Sequence, residues 1–447
     1  MRAQSAFLSF ILATGLLAAA TAGAQCPAPV PAQGALLPGP LPLFPADNWW
    51  NLDVSAAPVD PASPAFIAFI NNGGTRRLHP DFGGEASPGS VDIYGMPYAV
   101  VDGTQAKLAV TFDYASESDG VNAAGQGVPF YPIPAQAANQ PHWVEGGAPG
   151  NIDQRNAGDR HLLIIDCANR RLYELYNVYF NAAQARWYAG SGASFDLNTN
   201  QRRPDTWTSA DAAGLAILPG LVRYDEAWNP AVTDIGHAFR VTVRSTNGYV
   251  YPASHRAGGT VGALPMGARL RLKPNVNGQD PALRASDPNV RKIFRAMQKY
   301  GLIVADNGSD LYITGTFDTR WNNDILNPAF ALLSAGDFEV VKLGYNPPPA
   351  TPALVALAVL PQHVVGGLSF YAVVTLAAPA PAGGASVAVT SSNSALAIAP
   401  ATIVVPAGAV TARVLVPTRP TRRDAGATLS ASYGGATRTA SIAITVR

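Results

Sequence analysis

Residues 160–180, RHLLIIDCANRRLYELYNVYF, contain two apolar runs separated by a short polar turn. The first run covers residues 160–166 and the second covers residues 171–180, and aliphatic and aromatic residues of this kind favour buried strands. The four residues 167–170 between them are of hairpin length. The stretch therefore predicts an antiparallel strand pair at the centre of a β-rich domain.

Similar strand-like runs recur on both sides of this pair, at residues 98–102, 107–114, 186–189, 236–244, 268–273, 301–305, 311–317 and 338–342. Helical patterns are few: residues 63–71, and residues 287–300 with Asp287 as N-cap and Pro288 at the first helical position. The 42 Gly, 38 Pro and only 14% charged residues are typical of many turns and short strands. We predict a mainly β protein, with a β-sandwich or jelly-roll-like main domain carrying a few marginal helices.

Residues 1–24 have the pattern of a secretory signal peptide, with Arg2, an apolar run at 7–20 and a cleavage site at Ala22-Gly23-Ala24. A lipoprotein anchor at Cys26 is the alternative, although the aliphatic residue usual before such a cysteine is missing. No other run reaches the roughly 18 apolar residues of a membrane span. We expect a soluble, secreted protein, extracellular or periplasmic.

Two cysteines occur, Cys26 and Cys167. In an oxidising compartment such a pair predicts a disulfide between the mature N-terminus and the centre of the main domain. A buried free Cys167 with a disordered Cys26 is the alternative.

The charge is distributed unevenly along the chain. From residue 350 onward there are six Arg, no Lys and one acidic residue, Asp424, so the main domain before it is net acidic. Because attraction to phosphate dominates nucleic-acid binding, an acidic main domain argues against a nucleic-acid ligand.

Composition divides the mature chain into a Pro/Ala-rich arm (25–45), a main domain (46–345), a Pro-rich linker (346–352) and a C-terminal domain (353–447). In the last, apolar residues alternate at 410, 412, 414 and 416 and at 442, 444 and 446, between turns such as Pro406-Ala407-Gly408 and Tyr433-Gly434-Gly435. This pattern, with the stretches at 364–367, 380–384, 391–394 and 405–408, resembles bacterial immunoglobulin-like modules. The resemblance implies a β-sandwich that acts as spacer, adhesive or targeting accessory.

The main domain has its own resemblance, carried by GDRH at 158–161, GSGASFDL at 190–197, WTSADAAG at 207–214, VRYDE at 222–226 and ADNGS at 305–309. These blocks are similar to those of a group of secreted bacterial proteins without an assigned activity. The resemblance implies export and no particular reaction.

Polar chemistry is densest between residues 159 and 256. Glu174 lies inside an apolar strand, where burial would raise its pKa as a general acid requires. Tyr176 lies two residues on, on the same face of that strand. The alternative for Glu174 is a buried ion pair with Arg160 or Arg240.

Three further candidates for catalysis are Asp211, His237 and His255. His237 begins a predicted strand and His255 lies in a loop, so they would serve as base and orienting group, as metal ligands, or as structural histidines. Asp211 lies in a loop that also carries Trp207, but Thr208 and Asp211 also have the spacing of a helix capping box.

Arg203, Trp207, Arg223 and Glu226 are the predicted substrate-binding residues, since guanidinium groups, carboxylates and an aromatic ring are typical of a sugar-binding cleft. We expect no cofactor, although residues 306–310, DNGSD, offer oxygen ligands for calcium as an alternative to a hairpin turn.

Several reactions are excluded by missing motifs: the sequence has no GxSxG elbow, phosphate-binding GxxxxGK[ST] loop, HExxH or CxxC. Three hypotheses remain: a polysaccharide hydrolase or lyase, a non-catalytic carbohydrate- or surface-binding envelope protein, and a structural envelope protein. The first requires a cleft built from the 159–256 region, and its partner would be a polysaccharide or cell-envelope polymer.

Overall fold

The computed structural model describes residues 26–347, 352–381 and 384–446. The predicted signal peptide and residues 348–351 of the predicted linker lie outside the described residues. The chain divides into two compact units, residues 1–346 (the main unit) and 347–447 (the C-terminal unit). Strands make up 32% of the chain and helices 12%, which confirms the prediction of a mainly β protein.

The strands of the main unit are short and belong to three sheets, whose strand orders are β1-β3-β5-β6-β9, β14-β11-β12-β10-β13-β2 and β4-β8-β7 in the part of the chain described. They are β1 (Ala32–Gln33), β2 (His79–Asp81), β3 (Tyr98–Val101), β4 (Val110–Phe112), β5 (Leu162–Asp166), β6 (Arg171–Tyr176), β7 (Tyr179–Asn181), β8 (Arg186–Ala189), β9 (Ser191–Asp196), β10 (Phe239–Val243), β11 (Arg269–Leu272), β12 (Leu302–Asn307), β13 (Tyr312–Thr314) and β14 (Phe338–Val340).

Strands β5 and β6 pair in antiparallel orientation, as the sequence predicts, and β9 pairs with the other edge of β6. Successive residues of β5 enter different cores: Leu163 and Ile165 face the main core, and Leu162 and Ile164 face a second core that contains Trp187. Because both faces are covered, the strand is apolar throughout instead of alternating. Glu174 on β6 therefore has no solvent-facing side available to it.

The six-stranded sheet is mixed, because β10 runs parallel to β12 and antiparallel to β13. A register shift between Val241 and Thr242 places Asp306 of β12 opposite Thr242. Irregularities of this kind redirect side chains at the end of a strand pair. Asp306 lies at that end of β12.

The described helices are α1 (Ser63–Asn71), α2 (Gln136–Asn139), α3 (Tyr224–Ala227), α4 (Pro288–Lys299) and α5 (Asn323–Phe330), with 3₁₀ turns at Ala115–Glu117, Leu218–Gly220, Pro281–Arg284 and Ala335–Asp337. The two predicted helices are confirmed as α1 and α4. Asp287 caps α4 by accepting hydrogen bonds from the amides of Asn289 and Val290. Ile293 and Met297, on the apolar face of α4, are buried.

A disulfide joins Cys26 to Cys167, with their Cα atoms 5.5 Å apart. The segment after Cys26 packs along the main unit: β1 pairs with β3, the hydroxyl of Tyr98 donates to the carbonyl of Ala35, and Phe44 enters the core. The predicted Pro/Ala-rich arm therefore packs against the main unit. A disulfide of this kind indicates an extracytoplasmic protein.

The C-terminal unit is a two-sheet sandwich with its own apolar core. Its strands are β15 (Leu354–Leu360), β16 (His363–Val365), β17 (Ser369–Leu376), β18 (Ala385–Ser391), β19 (Thr402–Val405), β20 (Thr411–Pro417), β21 (Ala425–Tyr433) and β22 (Ala436–Thr445). Gly434 and Gly435, both with positive φ, form the two-residue turn between β21 and β22. Ile442 and Ile444 point inward as predicted, whereas Val410 precedes β20 and is 43% exposed.

Candidate active site

A cavity of about 440 Å³ opens in the main unit beside the end of β12, and we call it the Asp306 cavity. Most of its lining side chains are polar, and among the described residues that line it none is Arg or Lys. The lining residues are Tyr114, Glu117, Asp159, Tyr176, Ser191, Thr208, Ser209, Ala210, Ala212, His255, Ala257, Asp306 and Asn307.

Two of the predicted catalytic residues, Tyr176 and His255, line the Asp306 cavity. The ring of His255 is oriented by a 2.8 Å hydrogen bond between Nδ1 and the carbonyl of Ala212, and its Nε2 lies 4.0 Å from Oε2 of Glu117. Since Nδ1 must donate to a carbonyl, the neutral tautomer leaves Nε2 as an acceptor facing the cavity. Burial raises the pKa of Tyr176, so its phenol stays protonated.

Asp306 is a cavity-lining carboxyl group with a raised pKa. Burial raises its pKa to about 7, and the negative charge of Asp211 adds to the effect, against the opposing influence of Arg240. The side chain is 23% exposed, so the proton on it is accessible from the cavity. A carboxylic acid that keeps its proton near neutral pH is suited to general acid catalysis.

Asp211 lies behind the cavity wall and is wholly buried. Its two oxygens accept hydrogen bonds of 2.8 Å from Nε and Nη2 of Arg240, and Arg240 also donates to Thr314. Asp211 was predicted as a catalytic residue, but the structure places its carboxylate in a buried bidentate pair and outside the lining of the Asp306 cavity. The alternative of a capping box is wrong, since no helix begins at Thr208.

His161 provides a second buried charge behind Tyr176. Its Nδ1 lies 2.6 Å from Glu145 and its Nε2 lies 2.9 Å from the carbonyl of Ala210. Although burial opposes the charged form, the Glu145 carboxylate raises the pKa of His161 to about 9. Both ring nitrogens therefore donate, and the imidazolium packs 5.6 Å from the ring of Tyr176.

Glu174 does not line the Asp306 cavity, contrary to the sequence prediction. The side chain is fully buried, and its oxygens accept hydrogen bonds of 2.8 to 3.0 Å from the amides of Ile217 and Leu218. Burial raises its pKa to about 7, although the hydrogen bonds from these two amides lower it. The alternative ion pair is also wrong, because Arg160 donates to backbone carbonyls and Arg240 binds Asp211.

His237, Glu226 and Arg223 form a separate buried cluster. Nε2 of His237 lies 3.0 Å from both oxygens of Glu226, and the guanidinium of Arg223 is paired with the same carboxylate. Glu226 also caps α3 through the amide of Arg223. These three residues were predicted as catalytic or substrate-binding groups, but they satisfy one another and do not line the Asp306 cavity.

Arg203 and Trp207 support the cavity from outside. Arg203 donates to Asp119, to the carbonyl of Glu117 and to the carbonyl of Thr208, and its guanidinium lies 5.2 Å from the ring centre of Trp207. These contacts hold the Glu117 turn against the Thr208 loop. Neither of these two predicted substrate-binding residues lines the Asp306 cavity among the described residues.

Glu117 is the main residue that sequence reasoning missed. It ends the 3₁₀ turn Ala115–Glu117, accepts a 3.0 Å hydrogen bond from the amide of Thr208, and keeps 32% of its side chain exposed. The surrounding sequence, YASESDG, has only the composition of a surface turn. No local signal identifies it, because the contacts that place it come from residues about 90 and 140 positions later.

The predicted calcium ligands of residues 306–310 are engaged by arginines. Asp306 pairs with Arg240 at 3.2 Å and Asp310 pairs with Arg244 at 2.7 Å. Within the described ranges no group of three or more His, Cys, Asp or Glu side chains is arranged to hold a metal ion. Among the helices of those same ranges, none has the length and apolar character needed to cross a bilayer.

A scan against protein-family models finds no match to this chain, and no curated protein matches it. Two solved structures show a partial likeness: the D0-D1 domain of intimin (10% identity, TM-score 0.18, 24% of this chain) and the D00-D0 domain of intimin (12% identity, TM-score 0.17, 25% of this chain). The chain spans about half of each, 53% and 55% respectively. At these TM-scores the likeness carries no functional conclusion.

Proposed function

We propose that this chain is a secreted polysaccharide hydrolase, extracellular or periplasmic, that cleaves its substrate in the Asp306 cavity. One observation supports this most directly: a single cavity contains a carboxylic acid whose pKa is raised to about 7, Asp306, together with a second carboxylate and an oriented imidazole, Glu117 and His255. Glycoside hydrolysis needs one protonated and one ionised carboxyl group on either side of the scissile bond.

In this proposal Asp306 is the general acid that protonates the leaving glycosidic oxygen. Glu117, with His255 beside it, activates the attacking water, and the phenol of Tyr176 positions a sugar hydroxyl. Arg240 stabilises the buried Asp211 carboxylate and the His161 imidazolium pairs with Glu145. Neither Arg240 nor His161 lines the Asp306 cavity.

Hydrolysis is favoured over β-elimination by the charges of the cavity. A lyase must neutralise a uronate carboxylate, and the arginine predicted for that role, Arg223, is paired with Glu226 elsewhere. The cavity is lined by Glu117, Asp159 and Asp306 without a compensating Arg or Lys among its described residues. A uronate would be repelled, so the substrate is neutral or cationic.

The test is a screen of the mature chain against neutral, amine-bearing and uronate-containing polysaccharides, with reducing ends and the absorbance of unsaturated products both recorded. We expect new reducing ends without unsaturated products, and a loss of about 10²- to 10⁴-fold in Asp306→Asn. Asp205→Asn is the matched control, since its side chain is 71% exposed and outside the cavity. Binding of a polysaccharide without any cleavage would instead support the non-catalytic carbohydrate- or surface-binding envelope protein.

A further inference from the structure

The Asp306 cavity shares lining residues with two neighbouring cavities. Asp159 also lines a cavity of about 450 Å³, the Asp81 cavity. Asp81 and Tyr94 in turn line both that cavity and a third one of about 1130 Å³, the Tyr312 cavity. The shared side chains make the three cavities direct neighbours, with the Asp81 cavity between the other two.

The Tyr312 cavity combines aromatic rings with side-chain amides. The rings of His79 and Tyr312 pack with centroids 4.3 Å apart, and Tyr94 is 50% exposed at the junction with the Asp81 cavity. Asn322, Asn323 and Asn327 line the same space, and Oδ1 of Asn323 has no hydrogen-bond partner among the described residues. Rings that stack on the apolar faces of sugars, beside amides that bind hydroxyl groups, are suited to an oligosaccharide.

The Asp81 cavity between the other two is strongly acidic. Asp81, Asp92, Glu145 and Asp159 line it. Glu145 is paired with the His161 imidazolium, and the one guanidinium there, that of Arg160, donates to three backbone carbonyls. Asp81 is exposed at the end of β2, and within the described chain its carboxylate has no ion-pair or hydrogen-bond partner. A positively charged group entering this space would relieve the repulsion between the carboxylates.

We propose that the three cavities form one cleft that binds an extended, amine-bearing polysaccharide, with the Tyr312 cavity holding sugar units remote from the bond that is cleaved. This inference rests on the proposed function for the position of the cleaved bond, but the binding it describes does not require catalysis. The amino groups of the bound polysaccharide lie against the carboxylates of the Asp81 cavity. The aromatic rings of the Tyr312 cavity add affinity for each further sugar unit.

Calorimetry on the mature chain tests this, with Asp306→Asn as the background so that no probe is cleaved. The probes are glucosamine oligomers of two and six units and the fully N-acetylated hexamer. We expect the glucosamine hexamer to bind about tenfold or more tightly than the dimer, equivalent to about 1.4 kcal/mol, and more tightly than the acetylated hexamer. Tyr94→Ala should weaken hexamer binding about three- to tenfold, whereas Tyr371→Ala, an exposed tyrosine of the C-terminal unit, should not.

Equal affinity for dimer and hexamer, equal affinity for the two hexamers, or equal effects of Tyr94→Ala and Tyr371→Ala would each overturn the inference. The two proposals fail separately. Tight, length-dependent binding without cleavage by the unsubstituted chain eliminates the hydrolase and retains the cleft. Cleavage without length-dependent binding eliminates the cleft and retains the hydrolase.

Discussion

Asp306 shares Nη2 of Arg240 with Asp211: that nitrogen lies 3.2 Å from Oδ2 of Asp306 and 2.8 Å from Oδ1 of Asp211. One buried guanidinium therefore connects a carboxyl group of the cavity wall to one that is enclosed in the protein interior. The proposed general acid is held in place by a charge that the substrate cannot reach.

Replacing Arg240 should destabilise the main unit strongly. Arg240→Met leaves the Asp211 carboxylate buried without its bidentate partner, which costs about 3–5 kcal/mol in the free energy of unfolding. Urea denaturation at pH 7.5 measures the change. Arg155→Met is the control: its pair with Asp153 is half exposed and contributes about 0–1 kcal/mol. Equal losses in the two variants would show that the buried Arg240–Asp211 pair stabilises the protein no more than a half-exposed pair does.

The activity should depend on pH through Asp306. A general acid works only while it is protonated. We therefore expect kcat/KM to be highest below the pKa of Asp306 and to fall as the pH rises through about 7. The alkaline limb of the pH profile, measured on whichever polysaccharide is cleaved, reports this group. In Asp306→Asn the residual rate should lose that limb. A variant that kept the limb unchanged would assign the titration to another residue.

The strands and helices were largely predictable from the sequence, and the site only in part. The apolar runs at 160–166 and 171–180 predict β5 and β6 because burial on both faces leaves a clear pattern, although the second run breaks at Asn177, where φ is positive and the chain leaves for another sheet. The burial of Glu174 was also predictable. What it faces was not, because the amides of Ile217 and Leu218 reach it only through the fold. The separation of Glu117 from Asp306 along the chain likewise hides the fact that both line one cavity.

Loss of the disulfide should lower stability without altering the fold. The bond closes a segment of 141 residues, and removing such a cross-link increases the entropy of the unfolded chain, with a typical cost of about 2–4 kcal/mol. We expect the double variant Cys26→Ser/Cys167→Ser to unfold at a lower urea concentration than the unsubstituted chain. The unsubstituted chain should show the same decrease when reducing agent is added. The double variant itself should be insensitive to reducing agent. If reducing agent left the unsubstituted chain unchanged, the bond would not contribute to stability.

Glu174 should make stability decrease with rising pH. Its pKa is raised from 4.5 to about 7 in the folded protein, so the folded state binds the proton more tightly than the unfolded chain does. The contribution of the Glu174 proton to stability is therefore fully present below pH 4.5 and is lost as the pH rises through about 7. Glu174→Gln removes this titration while keeping an acceptor oxygen for the two amides. The free energy of unfolding of the unsubstituted chain, relative to that of Glu174→Gln, should therefore fall by about 3 kcal/mol between pH 4.5 and pH 8. A difference that stays constant across that range would mean that the two amides stabilise the carboxylate enough to cancel its burial, and Glu174 would then be an ionised structural group.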